Sequence, residues 1–559
     1  MEYNNLVEQY KKILLDDPVG ATCSGIHTRD HELSDLSVAY FQKELKEAKE
    51  LLVLVNEIDS DGLDFDQQID WELIKLQLEK IIFSEELKYN DLFDYEQRPA
   101  AGSVIINSLL YLFLKDPRSA QIRLDAITAR LGRMPEFLTQ YRPTLKKTIG
   151  RWKNIELEEI AGAPDLFANI VVWAEQENYS QTEQLKTNIA NAKLAMDDYV
   201  KFINSLEVLT DFSIGSDKAQ KLINLNGLDL TLEQVFQIAK DFFLDHEQKI
   251  SALTETLKKK YNLAPDLPRL ELLKFIKDKY AINAEEIVDR YKSDQEKVSA
   301  YIKKSDYFVF PESEKLIIMQ TPSYLVPTIP VGAMFPPAPF EAGPKTSVVY
   351  LTVDEARRKD QNSLMITNTM IHEGLPGHHL QFSVAYENKS DVRKLANYNE
   401  HAEGWTTYLE TFMSDVGFID EEIKSEYLLI ALSDFARLGA RVAIDLYFLT
   451  GEEKYLNVLS DFVPTGDDVF AKAKSLLQKV TGFTDARVEG ELNWYSSERG
   501  YPMCYLLGNR LVWQLQRAVL EKFGANKEEG LKLFHKTYLQ EGIMPLRLLK
   551  KVFQHKNLI

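Results

Sequence analysis

Two cysteines, Cys23 and Cys504, are all that 559 residues contain, and they stand near opposite ends with no Cys-x-x-Cys pair. That scarcity excludes a disulfide framework and a cysteine-rich zinc site, and two reduced, buried thiols are expected. Long apolar runs are missing too: nothing approaches the roughly 20 residues that a membrane-spanning helix needs. The opening MEYNNLVEQYKKILLDDP lacks the basic segment and apolar core of a secretory signal, so a cytoplasmic protein is expected. Basic charge is also short, since 66 Lys+Arg against 85 Asp+Glu leave a net charge of −19. Nucleic acid and acidic membranes, which need a basic face to draw in phosphate, are therefore not expected as partners. Fixed-length repeats are absent, which removes a solenoid; oligomeric state is not encoded in anything legible.

What is present is material for a packed interior: 28 Phe, 26 Tyr, 6 Trp and 45% hydrophobic residues. From about residue 35 to 300 apolar residues recur at three and four positions, predicting helices. In Ile69 to Ile82, IDWELIKLQLEKII, the residues Trp71, Ile74, Leu78 and Ile81 form one stripe to be buried, with Glu72, Lys75 and Glu79 outward. Similar stripes recur in 120–160, 180–205 and 230–262. At 305–352 eight prolines interrupt this texture and forbid helix. Leu316 to Met319 and Ser347 to Thr352 predict short strands joined by an ordered Pro-rich loop. The FPPAPFE segment in it is expected to be packing rather than a lid. The fold class expected is thus mainly α, with a small sheet at about 305–352. The expected organisation is an N-terminal helical region, 1–304, and a region 305–559 carrying the sheet and the chemistry, the two interleaved as one unit.

Histidine is scarce, nine in all, yet His372, His378 and His379 fall within eight residues of TNTMIHEGLPGHHLQF. A helical run leading into His372-Glu373 follows the logic of zinc peptidases, in which two histidines one turn apart hold the metal and the intervening Glu is the base. Here the position four after His372 is Pro376. A regular helix would displace a His six or seven positions on by roughly 9–10 Å, while two nitrogens on one zinc are only about 3–4 Å apart. Pro376-Gly377 can break the helix and return either His378 or His379 toward His372. A third ligand should come from another helix. NEHAEGWTTYLETF offers Glu400, His401, Glu403 and Glu410, of which Glu403 is the choice. It completes a His₂Glu set with a position open for water, suited to catalysis. One zinc per chain, with Glu373 as general base, is expected.

Arg437 and Arg441, one turn apart, suit a substrate carboxylate, though Asp434 or Asp445 can equally claim them. Tyr495, Tyr501 and Tyr505 form a cluster from which a phenol can donate to a developing oxyanion. His401 is expected at the surface or behind the ligands, and His27 and His31 at ordinary surface positions.

The strings HEGLPGHHLQ (372–381) and AEGWTTYLE (402–410) resemble the paired motifs of the bacterial domain of unknown function 885 family, grouped with gluzincin-type zinc metallopeptidases. The resemblance extends to GIHTRDHELSDLS, FPPAPFE, ARLGARVAIDL (436–446) and WYSSERGYPMCYLLG (494–508), and so covers nearly the whole chain. It implies His372, His378 and Glu403 as ligands, Glu373 as base and His379 behind the ligands or in the substrate pocket. The chain departs from the pattern at Leu449, where His is usual, and in YPMCYLLG. The function expected is a zinc-dependent peptide hydrolase, carboxypeptidase- or oligopeptidase-like, acting on short or extended peptides. The alternatives are a non-catalytic binding protein on the same scaffold, or a zinc amidase for a non-peptide bond.

Overall fold

The computed structural model describes residues 3–321, 332–353 and 361–559. The chain is mainly α-helical and forms two compact units that alternate along the sequence. One comprises Met1–Phe212, Thr321–Gly343 and Ser390–Leu395; the other comprises Ser213–Gln320, Pro344–Lys389 and Ala396–Ile559.

In the first unit the helices Val38–Asn56, Phe65–Glu86, Ala101–Leu114, Ala120–Tyr141, Gly150–Gln176 and Thr182–Ser205 follow the predicted stripes. Phe65–Glu86 begins where Asp64 and Gln67 cap one another reciprocally, each side chain accepting from the other's backbone N–H. Along it Ile74 and Leu78 are buried as expected, whereas Trp71 and Ile81 are only half-buried. The Trp71 indole reaches instead to donate to Val55 O at 3.0 Å, across to the preceding helix, a polar tip that holds the ring at the rim. The FPPAPFE segment packs within this unit. Phe340 N donates to Ser24 O at 3.0 Å, and Gly25, at φ +87°, approaches so closely that a Cβ would lie 2.7 Å from Glu341 N. Only glycine meets both demands. Cys23 is exposed rather than buried, because it closes the short helix Pro18–Cys23; Cys504 is buried.

In the second unit strands Glu314–Gln320 and Lys345–Leu351 pair in parallel, Glu314 opposite Lys345 and Gln320 opposite Leu351. Parallel pairing needs a long crossover, and the Pro-rich stretch provides it; its residues 322–331 lie outside the described residues. The rest is helical. Leu232–Lys260 packs on Lys424–Thr450, and Asn399–Asp415 on Cys504–Phe523. The second crossing is close: a Cβ on Gly404 would lie 2.6 Å from Gly508 C, and one on Gly508 would lie 2.1 Å from Glu400 O. Main chain therefore rests on main chain, with no room for a side chain between. The C-terminal end of Lys424–Thr450 is tied in by Leu449 O, which accepts from Ile214 N and Gly215 N.

Candidate metal centre

Asn362 caps the helix Ser363–Glu373 by accepting from Met365 N. The helix stops at Gly374, and a new one, His378–Ala385, starts four residues on. Between them Leu375-Pro376 is a cis peptide. Gly377 is indispensable to this turn, since a Cβ there would fall 1.8 Å from His372 O. Two side chains pin it: Leu375 N donates to Gln295 Oε1 at 3.2 Å, and Trp405 Nε1 donates to Pro376 O at 3.0 Å. The second bond locks the turn to the helix that carries Glu403.

The result brings His378 back beside His372, with ring centroids 5.0 Å apart. Glu403 Oε2 lies 3.7 Å from His372 Nε2 and 3.4 Å from His378 Nε2. Among the described residues these three form the group whose ligand atoms lie within 4.8 Å of one another. Glu403 Oε1 accepts from the Tyr501 hydroxyl at 2.6 Å. Its Oε2, buried, has no hydrogen-bond partner among the described residues. A buried carboxylate oxygen left so is costly unless something else meets it. Two imidazole nitrogens and one carboxylate oxygen at these spacings fit a tetrahedral zinc ion with one position to spare.

The electrostatics agree. Although burial alone would raise it, the His378 and His372 imidazoles hold the Glu403 carboxyl well below its usual range. Burial likewise opposes charging His372, but Glu403 and Glu410 push it up to about 10. Carboxylates that attract a proton this strongly also attract a cation.

Both imidazoles are oriented from behind. His372 Nδ1 lies 2.8 Å from Glu410 Oε1, and since a carboxylate only accepts, Nδ1 keeps a proton toward Glu410, so that Nε2, on losing its own, would be the nitrogen offered to a metal beside Glu403. Glu410 is itself held by Asn368 Nδ2 at 2.5 Å, while Tyr427 donates to Asn368 Oδ1 and to Glu410 O. His378 Nδ1 faces Gln381 Oε1 at 3.4 Å, and Gln381 is oriented by donating to His401 O. His372, Glu373 and Glu410 line a cavity of about 860 Å³.

The remaining expected residues are placed as follows. Tyr501 touches Glu403, and the Tyr505 ring lies tilted beside Tyr501 with ring centroids 5.9 Å apart. Burial and the neighbouring Glu403 push the Tyr505 phenol well up, so it stays a donor. Tyr495 is not brought to the cluster: fully buried, it donates to Glu491 at 2.6 Å and accepts from Arg441 Nε at 3.1 Å. Arg441 also binds Glu491 and lies over the Trp494 and Tyr505 rings, whereas Arg437 pairs with Asp434 and lines the cavity. Asp445 pairs with neither arginine. It accepts from Gly500 N and Met503 N, fixing the turn that presents Tyr501. His379 turns away from Glu403 toward the sheet, with Nδ1 2.8 Å from Ser347 Oγ and Nε2 2.9 Å from Glu314 Oε2. His401 is buried, not at the surface, and its Nδ1 donates to Met544 O at 2.9 Å. His27 pairs with Asp30 and His31 with Glu32 in the other unit.

The model of the family described as bacterial protein of unknown function, DUF885, matches residues 18–552. The chain belongs to that family. No curated protein matches this DUF885 member. Among solved structures it is similar to "a putative lipoprotein of unknown function from Shewanella oneidensis". The two share 16% identity at a TM-score of 0.78, over 99% of this chain and 100% of that one. It is likewise similar to "the putative lipoprotein from Colwellia psychrerythraea", at 16% identity and a TM-score of 0.79, over 99% of each. These likenesses concern the fold. Among the described residues of this DUF885 chain no helix is long and apolar enough to cross a membrane.

Sequence reasoning missed the supports. Glu410 stands seven residues, two helical turns, after Glu403, and Asn368 one turn before His372; that spacing was the signal available. Gln381 stands three residues after His378 and had the same signal; Asp445 carried none, because its partners Gly500 and Met503 come from a remote segment.

Proposed function

We propose that this protein is a zinc-dependent peptide hydrolase of gluzincin type. His372, His378 and Glu403 would hold the ion, and Glu373 would act as general base. The observation that carries the reading is the buried, unpartnered Glu403 Oε2 facing both Nε2 atoms, with Glu373 on the wall of the adjoining cavity. Zinc, when bound, supplies Lewis acidity that activates water and polarises a carbonyl. Glu373 then takes a proton from the attacking water at a carboxylate oxygen and returns it to the departing amine nitrogen. The Tyr505 phenol, kept protonated, donates to the carbonyl oxygen as charge develops there. Tyr501 holds Glu403 at one oxygen and leaves the other free.

Elemental analysis tests the centre. About one zinc per chain is expected in wild type and in His379→Ala, and none in His378→Ala. Digestion of a random peptide library, followed by mass spectrometry with and without a chelator, tests the activity; a zinc-loaded protein that cuts no peptide would overturn it. A cytoplasmic location goes with this reading. Recovery from cells in the membrane fraction would instead align the protein with the neighbours titled lipoproteins.

A further inference from the structure

The cavity that opens on His372 and Glu373 carries a second charged group that the metal centre does not use: Asp434, Arg437 and Arg487. Arg437 Nη1 donates to Asp434 Oδ2, and Arg487 Nη2 donates to Oδ1 at 3.3 Å. Two guanidinium groups thus share one carboxylate, which leaves one positive charge in excess within this group of three, while Glu373 and Glu410 carry negative charge elsewhere on the lining. Although burial opposes it, Arg437 and Arg487 hold the Asp434 carboxyl below its usual range, so that carboxylate is charged and already engaged at both oxygens.

Arg437 is only partly used. Its Nε is buried and has no hydrogen-bond partner among the described residues, and a guanidinium offers five donors in a planar fork. Arg487 is fixed by stacking, its Cζ 3.4 Å from the Phe483 ring centroid. Arg441, which the sequence pairs with Arg437, contributes nothing here. It is committed to Glu491 and Tyr495 and does not line the cavity. The partner of Arg437 is therefore an arginine 50 residues on, in the helix Asp485–Ser497. Leu273, Ile430 and Phe483 supply apolar wall beside the pair.

We propose that Arg437 and Arg487 form a carboxylate subsite that holds the free C-terminus of a peptide substrate, so that hydrolysis proceeds from that end of the chain. The inference rests on the peptide-hydrolase reading. An internal peptide segment offers only neutral amides to the two guanidiniums, whereas a carboxylate accepts from both in charge-assisted bonds. An acidic side chain has the same chemistry, and the test separates the two sources.

The experiment uses the zinc-loaded full chain and three pools of N-acetylated tetrapeptides: free acids, C-terminal amides without Asp or Glu, and amides ending in Glu. Products are read by mass spectrometry. Cleavage of the acids at least about 10-fold faster than both amide pools is expected, a ratio that collapses toward one in Arg487→Gln and in Arg437→Gln, as removal of a charged hydrogen bond predicts. Arg487 is half-exposed, so its variant keeps the test sound where Arg437→Gln fails to fold. Equal cleavage of all pools overturns the subsite and leaves the hydrolase reading standing. Cleavage of Glu-ending amides as fast as acids overturns the terminal assignment. If no pool is cut, the hydrolase reading fails, and co-elution of peptides with the protein decides the subsite. Retention of acids over amides, lost in Arg487→Gln, supports it; equal retention overturns it.

Discussion

Each unit buries a glutamate, and the two are treated in opposite ways. Glu156, in the first unit, is saturated: Gly102 N donates to both of its oxygens, at 3.0 and 3.2 Å, and Tyr199 donates to Oε1 at 2.8 Å. All its donors are neutral, and burial pushes its carboxyl up to about 7. Glu403, in the second unit, has one oxygen bound by Tyr501 and the other facing two imidazoles without a hydrogen bond. Arginines repeat the contrast. The fully buried Arg130 binds Asp30 O, Ser108 O and Thr22 Oγ1, while Arg437 keeps an unmatched donor beside a cavity. Burial of charge is common to both regions, and each leaves some buried polar atoms without a partner among the described residues, Glu85 Oε2 and Arg142 Nε in the first unit included. Those of Glu403 and Arg437 differ in facing two imidazoles or standing beside a cavity, where a ligand can complete them.

The sharpest way to break this contrast is to blunt each glutamate in turn. Glu403→Gln is expected to abolish zinc binding, from about one ion per chain to none by elemental analysis, and all hydrolysis with it. Glu156→Gln should keep the ion while costing about 1–3 kcal/mol in a denaturant titration. Equal zinc loss in both variants would show that Glu403 acts only through the fold. Glu373→Gln should retain zinc yet lose about 10²–10⁴-fold in kcat. Glu410→Ala, which frees His372 Nδ1, should weaken zinc about 10–100-fold in a competition titration.

Acidity sharpens the comparison further. The Glu156 carboxyl is raised in the folded state from 4.5 to about 7, so the native protein holds a proton that the unfolded chain releases between those values. Stability should fall by about 3 kcal/mol as pH rises through that window. Denaturation midpoints at pH 5 and pH 8 check it, and Glu156→Gln should reduce the difference by that amount, the rest coming from Glu85, Glu159 and Asp445, which burial raises in the same way. The smallest effect expected is that of Trp405→Phe. It keeps an aromatic side chain but drops the bond to Pro376 O and some of the buried indole's contacts, costing about 1–2 kcal/mol and loosening the turn between the two histidines. Unchanged zinc affinity there would mean that packing alone sets the turn.

The helices were largely legible because their stripes repeat locally: the span predicted from Ile69 to Ile82 lies inside Phe65–Glu86, and 230–262 matches Leu232–Lys260. Rim positions were not. Trp71 and Ile81 lie at the edge of the buried face because the neighbouring helix, not the helix's own pattern, decides how wide that face is. Within the candidate site, residue types and the Pro376-Gly377 break stood out in one segment, together with Glu403. The roles of Glu410, Asp445 and Arg487 did not, since each acts on a partner 38, 55 or 53 residues away, respectively a ring nitrogen, a backbone N–H and a carboxylate.

By itself the sequence determined the mainly helical class, the interruption after His372 and the donor types available, because periodicity, proline and side-chain chemistry are properties of neighbouring residues. Tertiary structure alone decided which histidine meets Glu403. Gly377 folds the turn against His372 O, Trp405 pins it, and Gly404 on Gly508 sets the helix that carries the carboxylate. His378 then points at Glu403 while His379, one residue on, points at Glu314. Adjacent residues on a helix diverge by about 100°, and only packing chooses between them.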